Sequence, residues 1–401
     1  MQYSGRCVVF GGLLVSAICF GIGVVVGYFA HTDSPSEDAP ATATWPTQST
    51  PLLQSYQDEF VQRIEEAKSC NVPQPRGYVA YHLNGKNITV DGKLDEEAWL
   101  EVDHTQDFLD IRGARFPAPV EETQVKIRWD NTHVYVGAWL KEDKVWATYD
   151  QKNSRIYEEN AFEVFFDVDK SMSMYKEIEI NALGTTWDLM LSRAYIDGGG
   201  FTDWEGISEK GVYTDGLVNY PSDNTTYWSL EMAFPFADLI QNTSRADGPA
   251  VENEVWFMIM ARTEYELQVN STNGRYEQVP GTEASWYSWQ PTGAVALHLP
   301  SRWGLLQFRK GSPVRNSMVN FERWILYKAL FDVFDAQQNW KSLIGAFTAD
   351  IPSLNLSPYI TIGSCLTLTI EGATGTTFNA TVTHNDIIGR INENRYVTFT
   401  Q

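Results

Sequence analysis

The sequence predicts a mainly β protein: an antiparallel β-sandwich of the immunoglobulin-like or jelly-roll type, with an N-terminal transmembrane helix and a small C-terminal α+β module. Three observations carry that prediction. Between about residues 78 and 309, apolar and polar residues alternate with period two in many short runs. Turn sequence separates these runs at short intervals, with almost no helical periodicity between them. Ahead of them, Val8 to Ala30 is a run of 23 residues without a charge, enough to cross about 30 Å of hydrocarbon as a helix.

Taken in order, residues 1–7 hold Arg6, while Asp33, Glu37 and Asp38 follow the apolar run. Positive charge stays cytosolic, so the expected topology is single-pass type II: a cytoplasmic tail over 1–7 and a signal anchor over 8–30. Everything downstream is then extracellular or in the lumen of the secretory pathway. A cleaved signal peptide is the alternative, but its apolar core runs about 7–15 residues, and Tyr28-Phe29-Ala30 is a poor small-residue cleavage site. Residues 31–55 are rich in Ser, Thr, Pro and Ala and read as an extended stalk. Residues 56–77 form a short helix and linker, with Phe60, Ile64 and Ala67 at helical spacing and Pro73 and Pro75 ending it.

Within 78–309 the clearest hairpin is V-K-I-R-W (125–129), the turn D-N-T-H, and V-Y-V-G-A-W-L (134–140). E-V-F-F-D-V, K-E-I-E-I-N, T-W-D-L-M-L, Y-W-S-L-E-M-A-F and V-W-F-M-I-M-A read as further strands, and P-F-A-D-L-I (235–240) as a helical turn. Residues 310–401 change period. Apolar residues recur at three and four from Met318 to Trp340, and strand-like pieces follow, so a helix on a small antiparallel sheet is expected.

Composition narrows the partners. A net charge of −21 argues against nucleic acid, whose phosphates need clustered Lys and Arg. Aromatic residues make up 13% with 14 Trp, suited either to a β-rich core or to flat, half-polar surfaces such as sugar rings. Cys7 and Cys19 lie before or within the apolar run. That leaves Cys70 and Cys365 to form a disulfide in an oxidising compartment, or to stay as two buried thiols. Six Asn-x-Ser/Thr sequons, at Asn87, Asn224, Asn242, Asn270, Asn355 and Asn379, all lie on the side the topology makes lumenal, as expected of a glycoprotein.

The chemistry concentrates in R-I-Y-E-E-N-A-F-E-V-F-F-D-V-D-K (155–170) and the strand after it. Alternation puts Glu163, Phe165, Asp167 and Asp169 on one face, and the next strand puts Glu177, Glu179 and Asn181 on a common face. Like charges on adjacent strands repel, so such a face needs a reason. Three readings compete. A glycosidase would use a carboxylate pair. A glycosyltransferase would use Asp167-Val168-Asp169, although its fold needs helices that this region lacks. A binding site would use carboxylates and Asn for sugar hydroxyls and a ring for the C–H face. A structural or protein-contact role is the remaining alternative.

Seven ordered stretches then resemble the family 9 carbohydrate-binding modules, a DOMON-like β-sandwich. They are I-T-V-D-G-K-L-D-E-E-A-W (88–99), V-K-I-R-W-D-N-T-H-V-Y-V-G-A (125–138), Y-E-E-N-A-F-E-V-F-F-D (157–167), E-I-N-A-L-G-T-T-W-D (179–188), W-S-L-E-M-A-F-P-F-A-D-L (228–239), S-W-Q-P-T-G (288–293) and H-L-P-S-R-W-G-L-L (298–306). The resemblance implies a non-catalytic glycan-binding domain over 78–309 that requires no cofactor, calcium being structural in some members. Sugar-binding members hold their ligand between two tryptophans, with a Glu, an Arg and an Asn on its hydroxyls. Those positions fall on Tyr157, Glu163, Glu179 (an acid in place of the Arg) and Asn181. The second tryptophan falls near Leu297, with Trp286, Trp289 and Trp303 as candidates. The expected carbohydrate site is Tyr157, Glu163, Glu179, Asn181, Trp187 and Trp303, with no catalytic residue. The last segment resembles tails of some bacterial proteins of this kind, through Gln337, Trp340, Phe347, Thr348, Asp350 and Leu354.

Overall fold

The structure, a computed structural model, describes residues 61, 70–362 and 365–400. The expected anchor over 8–30, the stalk and most of the helix expected in 56–69 lie outside them. No helix among the described residues is long and apolar enough to cross a membrane. The described residues all fall within one compact unit.

Fifteen strands build the main part. They are β1 (Gly77–His82), β2 (Leu109–Asp110), β3 (Thr123–Trp129), β4 (His133–Lys141), β5 (Ala161–Asp167), β6 (Tyr175–Ile180), β7 (Thr186–Leu191) and β8 (Phe201–Asp203), then β9 (Glu209–Thr214), β10 (Tyr227–Pro235), β11 (Val255–Glu264), β12 (Leu267–Val269), β13 (Tyr276–Gln278), β14 (Ser285–Ser288) and β15 (Gly304–Arg309). Thirteen join in one curled sheet, in the order β8-β7-β6-β5-β11-β15-β1-β3-β4-β10-β9, with β14 and β2 attached beside β11. β12 and β13 make a separate ribbon.

The sheet is mixed, not wholly antiparallel. β1 runs parallel to β15 over Gly77–Tyr81 and parallel to β3 at Tyr81 and His82. A parallel pair needs a long crossover, and the β1–β15 pair uses nearly the whole domain as one. Period-two patterning cannot show this, because alternation is the same for either strand direction. β1 is also the corner: its first residues belong to one half of the sheet and its last to the other. The halves face each other around Val125, Ile127, Val136, Phe162, Val164, Phe166, Ile178, Leu230, Met258 and Met260, all sealed from solvent. The sandwich expectation therefore holds in outline.

β5, β6, β11 and β15 also carry large apolar residues on their outer face. Phe165, Tyr175, Phe257, Ile259 and Leu305 point away from the sandwich core into a second one. The 21-residue helix Trp324–Ile344 covers them, with its Tyr327 ring 5.1 Å from Phe257. A four-stranded antiparallel sheet backs the helix: β16 (Thr367–Glu371), β17 (Asn379–His384), β18 (Ile387–Asn392) and β19 (Val397–Thr400). The C-terminal module is thus the lid of a shared core. Its motif residues serve packing. Gln337, fully buried, exchanges two hydrogen bonds with the Thr348 backbone, at 2.6 and 3.1 Å, and Phe347 packs on Phe378. The structure joins Cys70 to Cys365, their Cα atoms 5.5 Å apart.

Phe257 touches four rings of the lid. Phe257→Ala should lower unfolding stability by about 3–5 kcal/mol in a denaturant titration, because neither layer can collapse into the void.

Candidate functional site

Register on the outer face decides which side chains meet. Glu163 of β5 lies opposite Glu179 of β6, which lies opposite Trp187 of β7. The next row is Phe165, Glu177 and Leu189. On its other side Glu163 lies opposite Ala261 of β11, and two residues on along β11 Thr263 pairs with Trp286 of β14. The C-terminal lid covers the apolar rows and stops short of the acidic one. A cleft of about 470 Å³ opens there, lined by Tyr157, Trp187, Trp286, Tyr195 and Phe201 around Glu163, Glu177 and Glu179, with Val295 to His298 along one side.

The aromatic wall is ordered by contact. The rings of Tyr157 and Trp187 lie 5.0 Å apart and 32° from parallel. Tyr157 sits on the 3-10 turn Ile156–Glu158 and is 38% exposed. Tyr195 and Phe201 are 59% and 55% exposed, an apolar rim that water alone does not favour. Tyr195 is positioned by the C-terminal module. Arg395 donates from Nε and Nη2 to the two oxygens of Asp197, at 2.7 and 3.2 Å, and Arg193 reaches Asn394 at 2.6 Å. Only residues distant in sequence could make this brace.

The acids at the floor are buried. Glu163 Oε1 accepts a hydrogen bond from the Thr263 hydroxyl at 2.6 Å. Oε2 of Glu177 and Oε2 of Glu179 are sealed from solvent with no hydrogen-bond partner among the described residues. Burial pushes the Glu163 carboxyl up from 4.5 to about 7. Burial first, and the neighbouring carboxylates second, push Glu177 and Glu179 well above the usual range. His298 Nε2 comes within 3.8 Å of Glu177, but burial lowers its pKa to about 4. Near neutrality that imidazole is uncharged, so the approach is no ion pair. Its Nδ1 meets the Tyr175 hydroxyl at 3.0 Å.

Of the six expected binding residues, the structure brings Tyr157, Glu163, Glu179 and Trp187 together in the cleft. Two stand elsewhere. Asn181 has no capacity left for a ligand: its amide donates to Tyr149 O (2.8 Å) and Glu159 Oε1 (2.6 Å), and its Oδ1 accepts from the Leu183 and Thr185 amides, both at 3.0 Å. That exhausts two donors and two acceptors. It acts instead as a brace behind Tyr157, since Glu159 also receives the Thr148 and Tyr149 amides. Trp303 is 1% exposed. Its ring lies 5.6 Å from Phe165 and 5.1 Å from Tyr175, and Nε1 donates to Leu297 O at 2.7 Å. It supports the cleft wall from below; the tryptophan that lines the cleft is Trp286. Trp289 lies in the sandwich core.

Sequence reasoning grouped Glu177 with the acidic face but gave it no role, and it missed Tyr195, Phe201 and His298. The latter three sit in irregular sequence without a period to read. Asp167 and Asp169 close the β5–β6 hairpin. Asp167 accepts the Met172 amide at 2.9 Å, and Asp169 accepts the Ser171 amide and the Ser244 amide and hydroxyl. Five of the sequon asparagines are exposed, while Asn270 is half-buried, donating to Glu277.

Residues 90–310 match the family described as carbohydrate family 9 binding domain-like. The chain belongs to this family. Its domains are non-catalytic carbohydrate-binding units. Among curated proteins, none matches the chain in sequence. Three solved structures are similar at low identity. A candidate carbohydrate-binding protein of Bacteroides uniformis ATCC 8492 is 15% identical, with a TM-score of 0.40 over 59% of this chain and 100% of the other. A family 9 carbohydrate-binding module from Caldicellulosiruptor kristjanssonii in complex with cellotriose is 13% identical, with a TM-score of 0.36 over 62% and 100%. The same module in complex with glucose is 12% identical, with a TM-score of 0.36 over 60% and 100%.

Two outcomes test this geometry. A carboxyl whose folded pKa is raised binds its proton more tightly in the folded state. It is neutral in both states below the unfolded value, so its penalty begins near pH 4.5 and is complete above about 7. In chelator, Glu163→Gln should therefore gain up to about 3 kcal/mol over the parent protein at pH 8 and nothing at pH 4, read by denaturant melts. Asn181→Ala should cost roughly 1–3 kcal/mol for each buried group it orphans, seen as a lowered melting temperature.

Proposed function

We propose that this chain binds a glycan non-covalently in the cleft between Tyr157, Trp187 and Trp286. One observation carries the reading: a tilted pair of aromatic rings stands beside buried carboxylates on one open sheet face, in a chain of a carbohydrate-binding family. Rings offer the apolar C–H face of a sugar a flat partner. Carboxylates accept hydrogen bonds from its hydroxyls. Tyr157 and Trp187 are the stacking wall, and Glu163 and Glu179 the hydroxyl acceptors.

Glycoside hydrolysis is the weaker reading, because it needs two carboxyl groups flanking the scissile bond, and Glu163, Glu177 and Glu179 stand side by side on one floor. The apolar run 8–30 supports display of the cleft outside the cell or in the lumen, on a type II anchor and stalk. Accessible sequon asparagines on the same segment agree with that placement.

A broad glycan array probed with the full chain tests the reading. Tyr157→Ala and Trp187→Ala should each weaken retention about tenfold, the equivalent of about 1.4 kcal/mol of lost stacking, with the far-UV spectrum unchanged. Retention on no glycan, or retention indifferent to both changes, would overturn it.

A further inference from the structure

Three carboxylates at the floor of one cleft are a standing electrostatic problem. One oxygen from each of Glu163, Glu177 and Glu179 lies within 4.8 Å of the others, and none of the residues lining the cleft is Lys or Arg. Several other acids of this chain meet strong donors. Glu142 meets Arg262 at 2.6 Å and Glu254 meets Arg245 at 2.7 Å. Glu231 takes the Trp99 indole N–H at 2.7 Å and the Gly92 amide at 2.8 Å. Of the cleft acids, Glu163 takes the Thr263 hydroxyl. Two of their oxygens, Glu177 Oε2 and Glu179 Oε2, are sealed from bulk water without a protein donor.

We propose that Glu163, Glu177 and Glu179 hold a hard divalent cation of the calcium class on the floor of the cleft, and that the glycan is gripped partly through that ion. Oxygen-only donors select hard cations over soft ones. Calcium takes oxygen at about 2.3–2.6 Å, so oxygens within 4.8 Å of one another can share one ion. With one oxygen each, three protein carboxylates fill at most half of the 6–8 positions calcium takes. The rest face the cleft, where paired sugar hydroxyls can enter. The ion supplies the positive charge that the acid at position 179 removes from the family pattern. Glu177, absent from the expected sugar contacts, becomes the third ligand.

The gripping half rests on the glycan-binding reading, while the cation half does not. The test uses the full chain, stripped with chelator and titrated first with calcium alone by calorimetry, then with terbium(III), whose luminescence Tyr157 and Trp187 would sensitise. One site is expected, with Glu163→Gln, Glu177→Gln and Glu179→Gln each weakening it roughly tenfold or more as a charged ligand is lost. Glu205→Gln, an exposed acid, should bind as the parent does. Calcium should raise the melting temperature of the parent more than that of Glu179→Gln, whose own cooperative melt shows that the variant folds. No uptake of either ion, or uptake unchanged in all three variants, overturns the cation site. Glycan retention that survives chelation overturns the gripping role. Calcium bound at the three glutamates with no glycan retained would sink the binding reading and leave the cation site standing.

Discussion

The burial of β5 and β6 on both faces is the constraint on which the rest of the structure depends. One face supplies the sandwich core through Phe162, Val164, Phe166, Ile178 and Ile180. The other carries Phe165 and Tyr175, which with Phe257 and Ile259 of β11 would form an exposed apolar patch without the cover of residues 310–401. The long helix and its four-stranded backing exist, in energetic terms, to cover Phe165, Tyr175, Phe257 and Ile259. Where the cover stops, the same strands carry Glu163, Glu177 and Glu179. The cleft is therefore the uncovered end of a layered core, and its acids are fixed by strands that neither layer allows to move.

This arrangement ties segments distant in the chain to one another and to the site. Arg395 holds Asp197 and so the rim residue Tyr195. The disulfide from Cys70 to Cys365 ties the entry of the sandwich to the lid. Glu159 and Asn181 brace the turn that presents Tyr157. The polar supports, Arg395 with Asp197 and Asn181 with Glu159, are paired within the protein, where an unpaired group would be costly. In the cleft, by contrast, Glu177 Oε2 and Glu179 Oε2 are buried without a hydrogen-bond partner among the described residues. Sites that do work tolerate such local violations, and a fold consistent elsewhere can carry them.

Much of this was legible in residue order. Alternation along E-V-F-F-D-V and K-E-I-E-I fixes which residues share a face whatever the tertiary setting, because successive strand side chains must point to opposite sides. It therefore gave the acidic row, and the family resemblance placed Tyr157 and Glu163 on it. Asn181 and Trp303 were misplaced for a common reason. A side chain's type shows what it can bond, not which neighbours claim it first, and both are claimed by backbone groups of nearby turns. Trp286 and Trp303 look equivalent as letters, yet one lines the cleft and the other supports its wall.

By itself, then, the sequence determined the mainly β architecture, the long C-terminal helix, the acidic face and its family, since these follow from local periodicity and ordered motifs. The parallel pairing of β1, the lid on the second face, the brace on Tyr195 and the choice of Trp286 were decided by tertiary structure alone. Each depends on contacts between segments far apart in the chain, which no local pattern encodes.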